Sequence, residues 1–246
     1  DSWKSLLVDG TLVARGTSSD TITFTSSAAS PAAGDWGIID FRTGSPGTTF
    51  DGNGDYVSGQ IFEHCRIEYA GFGADNHVIG DPTFISNCTI TNNRGFHGQM
   101  AIINTYHAND NAVIKNSTIT QNEGVAISTG DGTTITGNTI TYNYSGVQGA
   151  GDSRSPSYHL TLTNNIISNN DHIGLSLPPA ILEGTEYATV PFTVLQNTIR
   201  DNGGPGIISR GSGTLDQNLI LGNGTGITVT GGSGILLITN NTIADN

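Results

Sequence analysis

Charge is scarce in this chain. Asp, Glu, Lys and Arg make up only 12% of its 246 residues, and the formal net charge is −12. The nine Lys and Arg are scattered, with no basic run. Holding phosphates takes clustered cations, so neither nucleic acid nor an anionic membrane is expected as a partner. Cysteine is nearly absent, and two residues cannot build a disulfide framework. No stretch sustains apolar residues at i, i+3, i+4 and i+7, which argues against amphipathic helices. No run reads as a membrane span or a signal peptide, so membrane insertion is not expected. No His-x-His or Glu-x-x-His cluster suggests a catalytic metal, and no cofactor is required.

What the chain has instead is a repeat. An apolar residue, two spacers, a small polar residue, one spacer, an apolar residue, two spacers and Asn read at Ile135…Asn138…Ile140…Asn143. The pattern returns at Leu162…Asn165…Ile167…Asn170, Val194…Asn197…Ile199…Asn202, Leu215…Asn218…Ile220…Asn223 and Ile238…Asn241…Ile243…Asn246. Upstream it reads Ile114…Ser117…Ile119…Asn122, Ile85…Cys88…Ile90…Asn93 and, degraded, Phe62…Cys65…Ile67…Ala70. The central positions are 23, 29, 21, 27, 32, 21 and 23 residues apart. Such a period signals a solenoid with one supersecondary unit per repeat. Ile, Val and Leu interleaved with Thr and Ser, and punctuated by Asn or Gly, favour strands. A third strand, led by Gly, follows the second Asn, as in Gly124-Val125-Ala126-Ile127 and Gly174-Leu175-Ser176-Leu177. One coil is therefore a triangle. About ten coils of parallel strands, about 4.8 Å apart, make a rod on the order of 50 Å long, with a right-handed crossover expected. Residues 6–17, 21–25 and 34–41 follow a looser version, so residues 1–246 read as a single all-β domain, a three-sided right-handed parallel β-helix.

The Asn positions have a physical role. A bend turns backbone groups inward without ladder partners, and a buried amide can donate and accept to its counterparts above and below. Asn also tolerates the left-handed conformation that sharp bends need. The same column opens with Cys65, Cys88 and Ser117, which fit the space without copying the amide. Cys65 and Cys88 lie one coil apart, within bridging range, but with parallel Cβ vectors. A buried pair of free thiols is preferred, and a disulfide stays open.

These motifs resemble the right-handed parallel β-helix repeat proteins, the superfamily that includes pectin and pectate lyases. Coils such as Asn240-Asn241-Thr242-Ile243, and the opening Gly10-Thr11-Leu12-Val13-Ala14-Arg15-Gly16-Thr17 with Gly34-Asp35-Trp36-Gly37, look like those of secreted bacterial members. The resemblance covers nearly the whole chain and implies the fold. It implies no one activity, because the fold carries lyases, hydrolases, epimerases, adhesins and phage spikes. It also implies an extracellular or cell-surface bacterial protein. The pattern begins and stops mid-coil, so the chain is expected to be an excerpt of a longer secreted protein, with neighbouring coils or end-to-end stacking as partners.

Coil length varies because the chain inserts residues 42–59, 104–112, 150–159 and 178–191 between a Gly-led strand and the next apolar–polar strand. These insertions are expected to leave one corner and form a wall, where binding tends to reside. Tyr106, His107, Asp110, Arg154, Tyr158, His159, Glu186 and Tyr187 are candidate glycan-binding residues there. Aromatic faces stack on sugar rings while polar groups take the hydroxyls. The plainer reading is that the rings pin the loops to the flank. In Asp51-Gly52-Asn53-Gly54-Asp55, oxygen ligands alternate with Gly, making Asp51, Asn53 and Asp55 candidate calcium ligands. Asp, Asn and Gly equally serve a bare turn.

Chemistry is harder to place. A glycosidase needs paired carboxylates. The outward columns Glu63, Ser86, Lys115, Thr136, Thr163, Leu195, Asp216, Thr239 and Glu68, Thr91, Thr120, Thr141, Ser168, Arg200, Leu221, Ala244 offer no neighbouring pair. A lyase needs a base and a cation, and Lys115 has neither acid nor base beside it in its column. The leading expectation is a non-catalytic extracellular module, a rigid spacer or adhesin that binds polysaccharide or a cell-surface glycan on the loop wall. A polysaccharide lyase or glycoside hydrolase acting from that wall is the alternative, and a structural filament subunit the third reading.

Overall fold

The computed structural model describes residues 4–42, 44–52, 54–71, 77–95, 100–105, 112–130, 132–149, 159–179, 181–183, 186–188, 192–230 and 235–246. Each coil contributes one short strand to each of three nine-stranded parallel sheets. Sheet A stacks Leu6–Val8, Ile39–Phe41, His77–Gly80, Ala101–Asn104, Val125–Thr129, Ser145–Gly149, Leu175–Pro179, Pro205–Arg210 and Thr225–Val229. Sheet B stacks Val13–Arg15, Ile61–Glu63, Phe84–Ser86, Val113–Lys115, Thr134–Thr136, Leu160–Thr163, Phe192–Leu195, Gly213–Asp216 and Leu236–Thr239. Sheet C stacks Ile22–Phe24, Cys65–Glu68, Thr89–Thr91, Thr118–Thr120, Thr139–Thr141, Ile166–Ser168, Thr198–Arg200, Leu219–Leu221 and Thr242–Ala244. The result is a three-sided right-handed β-helix of nine coils, close to the expected ten.

The period-2 pattern explains the register. The middle residue of each triplet points inward: Ile90, Ile119, Ile140, Ile167 and Ile199 pair coil to coil in sheet C and are fully buried. Burying such a side chain contributes roughly 1.5–3 kcal/mol. Flanking Thr residues point out, so the two outward columns of Glu63 and Glu68 run through the residues expected from the sequence. Toward the first coil, Phe62 meets Phe24 and Phe41 edge-on, each at 5.8 Å between ring centroids.

Two internal ladders hold the corners. Between sheets B and C, the Asn138 backbone N–H donates to Asn165 Oδ1 at 2.9 Å, and the step repeats from Asn165 to Asn197 and from Asn197 to Asn218. Between sheets C and A the same bond links Asn93, Asn122, Asn143, Asn170, Asn202, Asn223 and Asn246 in turn. Ser117 and Cys88 carry on the acceptor half of the first ladder: Cys88 N–H donates to Ser117 Oγ at 3.0 Å, and Cys65 N–H to Cys88 Sγ at 3.4 Å. Both cysteines are buried free thiols. The contact with the Cys65 thiol, and then burial, push the Cys88 thiol well above its ordinary range.

One expectation needs correction. The left-handed residue is not the ladder Asn but the one before it: Asn116, Asn164, Gln196, Gln217 and Asn240 at one corner, and Asn92, Gln121, Tyr142, Asn169 and Asp201 at the other, with φ between 50° and 57°. The ladder side chain can then turn inward while its predecessor makes the bend. The four insertions, residues 42–59, 104–112, 150–159 and 178–191, each fall between a strand of sheet A and the next strand of sheet B, the single corner expected. Residues 25–38, 69–76 and 92–100 are further long connections, from sheet C to sheet A.

Candidate functional site

Sheet A lies between these two corners, and its outer face is the floor between them. One outward column of its floor reads Gly80, Asn104, Ser128, Gln148 and Ser176, and continues through Ile208 and Thr228. Gln148 is exposed between buried Val147 and Gly149, and Ser128 is half-buried between buried Ile127 and Thr129. Alternation therefore turns the amides and hydroxyls outward while the aliphatic residues face the core. A second column, nearer the sheet C corner, holds His77, Ala101, Val125 and Ser145. No Lys or Arg interrupts either column.

A recess of about 380 Å³ opens on this face. Val125, Ser145, Ile173 and Pro205 form one part of its lining, and Gln148 supplies an amide. Tyr144 and His172 form its edge, with ring centroids 4.1 Å apart and a tilt of 45°. The backbone stacks these two: His172 N–H donates to Tyr144 O at 2.9 Å, and Gly204 N–H to His172 O at 2.7 Å. The same corner position thus carries Tyr, His and then Gly on three successive coils. The local cause is Asn143. Its amide turns inward, with Nδ2 donating to Ile119 O at 2.9 Å, while its neighbours lie outside the core: Tyr144 lines the recess and Tyr142 is 60% exposed. Neither tyrosine nor His172 stands out in the sequence reading. The available signal was two aromatics bracketing a ladder Asn, in a chain with seven tyrosines.

Upstream on the same face, His77 Nε2 lies 3.2 Å from Asp40 Oδ1, both largely covered. Gly80 makes room for the pair, because a Cβ there would run into the His77 ring and the Asp40 carboxylate. On the outer face of sheet B, a hairpin of Thr49–Phe50 and Tyr56–Ser58 folds over Phe84. Tyr56 stacks on Phe84 at 6.1 Å and Phe50 meets it edge-on at 5.2 Å. Arg15 caps Tyr56 and Lys115 caps Phe84, each 5.1 Å from the ring centroid. Arg15 also binds Glu63 at 2.8 Å, and Arg66 binds Glu68 at 2.6 Å. These carboxylates are therefore neutralised by structural partners.

Of the residues singled out from the sequence, Tyr106, His107, Asp110, Arg154 and Tyr158 lie outside the described residues, as does Asn53. His159 is exposed and directly precedes Leu160–Thr163 at the corner between sheets A and B. Glu186 and Tyr187 fall on the antiparallel hairpin of Ile181–Glu183 and Glu186–Ala188, which leaves that same corner. Asp51 and Asp55 close the turn of the sheet B hairpin: Asp51 Oδ1 accepts the Asp55 N–H at 3.0 Å, and Asp51 N–H donates to Asp55 O at 2.9 Å. Among the described residues, no group of three or more His, Cys, Asp or Glu could hold a metal ion.

The family model of the right handed beta helix region matches residues 61–180 and 157–243. The chain belongs to that family. No curated protein and no solved structure matches it. Membership in the right-handed β-helix family accounts for the scaffold and names no activity.

Proposed function

We propose that this protein is a rigid, non-catalytic β-helix module of an extracellular or surface protein that binds polysaccharide along the outer face of sheet A. The observation that carries the reading is the Tyr144–His172 edge over the recess with Gln148 and Ser145. An aromatic edge beside an amide and a hydroxyl suits a sugar, whose ring face is apolar and whose rim is polar. The scaffold adds rigidity, because each coil is tied to the next by three strand ladders and two side-chain ladders. The test is retention on a panel of immobilised glycans, with reducing ends counted over time. Retention without turnover supports the module, and loss of retention in Tyr144→Ala ties it to this face. Absence of retention for every glycan would sink the reading.

One observation favours a second reading, a polysaccharide lyase or hydrolase. The Asp40–His77 pair is a carboxylate-oriented imidazole on the same face, the arrangement that a general base uses. New reducing ends or an unsaturated uronate chromophore, both abolished in His77→Asn, would decide for the enzyme. The turn of Asp51 and Asp55 is proposed as an accessory calcium site on the hairpin. A melting temperature that ignores both chelator and added calcium refutes it.

A further inference from the structure

The two columns of the sheet A floor differ in chemistry, and that difference points to a ligand class. Resting on the reading that this face binds glycan, we infer that the ligand is a neutral, extended polysaccharide lying along the solenoid axis, with successive coils offering equivalent contacts to successive sugar units. Asn104, Ser128, Gln148 and Ser176 follow one another in register, each one strand further along. Asn104, Ser128 and Gln148 present amides and a hydroxyl at about 4.8 Å spacing, and Ser176, next in line, is buried. Beside them, Val125, Ile173 and Pro205 give an apolar stripe within the recess. An extended glycan chain has the matching profile, with C–H faces on one side and a line of hydroxyls on the other.

Charge selects among glycans. The chain carries a formal −12, and no cation stands on either floor column. At the corner between sheets C and A, Asp171 is exposed next to His172, and Glu123 is exposed one coil before Tyr144, with Arg94 at 3.7 Å. A polyuronate laid here would bring carboxylates up to Asp171 and Glu123, with Arg210, at the far end of the last floor strand, the one Lys or Arg among the described sheet A strands. A neutral chain meets no such penalty, and its binding is insensitive to salt. From the strand Ala101–Asn104 to the strand Pro205–Arg210 the floor runs four inter-strand steps, or about 20 Å, long enough for several sugar units.

The experiment is calorimetric titration of the whole chain with a length series of neutral cello- and manno-oligosaccharides, alongside oligogalacturonates of matching length. The expected result is binding of a neutral series, with affinity rising at each added unit until the floor is filled and unchanged by added salt. Gln148→Ala and Tyr144→Ala should each weaken it about fivefold, the value of one hydrogen bond or one ring contact. Thr139→Ala, on sheet C, controls for general damage and should bind as the parent does. Oligogalacturonates binding as tightly as the neutral series, or affinity that stops rising after the first sugar, overturns the inference while sparing the functional reading. Failure of every sugar to bind removes both.

Discussion

Replacing Asn165 by Ala tests the load carried by the internal ladders. Asn165 Oδ1 accepts the Asn138 backbone N–H at 2.9 Å and its side-chain amide at 3.1 Å. Asn165 Nδ2 donates to Ile135 O at 2.9 Å and to Asn197 Oδ1 at 2.9 Å. Truncation orphans a buried N–H and leaves a buried carbonyl short of a donor, while Asn138 Nδ2 keeps Ile114 O and Thr136 O and Asn197 Oδ1 keeps the Asn165 N–H. Two such defects at roughly 1–3 kcal/mol each sum to about 3–4 kcal/mol, a large share of a domain stability of about 5–15 kcal/mol. Asn165→Ser should cost about half as much, since Ser117 shows that a hydroxyl at this corner takes the preceding N–H. Asn164→Ala, one residue earlier, loses only left-handed tolerance, about 1 kcal/mol. Urea unfolding followed by far-ultraviolet circular dichroism ranks the three. The ladder account fails if Asn165→Ala is no more destabilising than Asn164→Ala.

Three further outcomes follow from individual sites. The Asp216 carboxylate accepts from Thr239, Gln217 and Asn240, which hold it below the usual carboxylate range. A pKa lower in the folded than in the unfolded state contributes stability that is present above the ordinary Asp value and lost as pH falls through the folded value. Asp216→Asn should therefore flatten the acid limb of a stability–pH curve and leave its slope near neutrality unchanged. Cys65 and Cys88 should resist thiol reagents in the native protein and both react on unfolding, with mass spectrometry finding no bridge. Gly80→Ala should separate Asp40 from His77, read as moved His77 ring resonances by NMR at fixed pH while the melting temperature falls by a few degrees at most.

Most of the scaffold was legible because it is written in a one-dimensional code. Ile at the triplet centre and Asn at the corner recur on a fixed pattern, so the outward column from Glu63 to Thr239 could be aligned without coordinates. The left-handed position was harder to read. Asn164-Asn165 and Asn240-Asn241 place two like residues together, and only geometry separates the one that bends from the one that bonds. The excursions between sheets C and A were missed because 25–38 and 69–76 sit where the repeat is degraded, around Phe62, Cys65 and Ala70. The face of sheet A was missed for another reason. Tyr144 and His172 are 28 residues apart and meet only because coil lengths bring them into register. His77 and Asp40 meet only because residue 80 lacks a side chain.

Among the described residues each coil exchanges hydrogen bonds with its two neighbours, so excision of a whole turn is expected to leave the rest of the stack intact. Joining Gly137 to Asn165 would delete the 27 residues from Asn138 onward and hand Ser117 a new acceptor identical to the one it lost. Rod length in such a protein is accordingly an inheritable variable that changes in whole storeys, by duplication or loss, and the reach of whatever it carries changes with it.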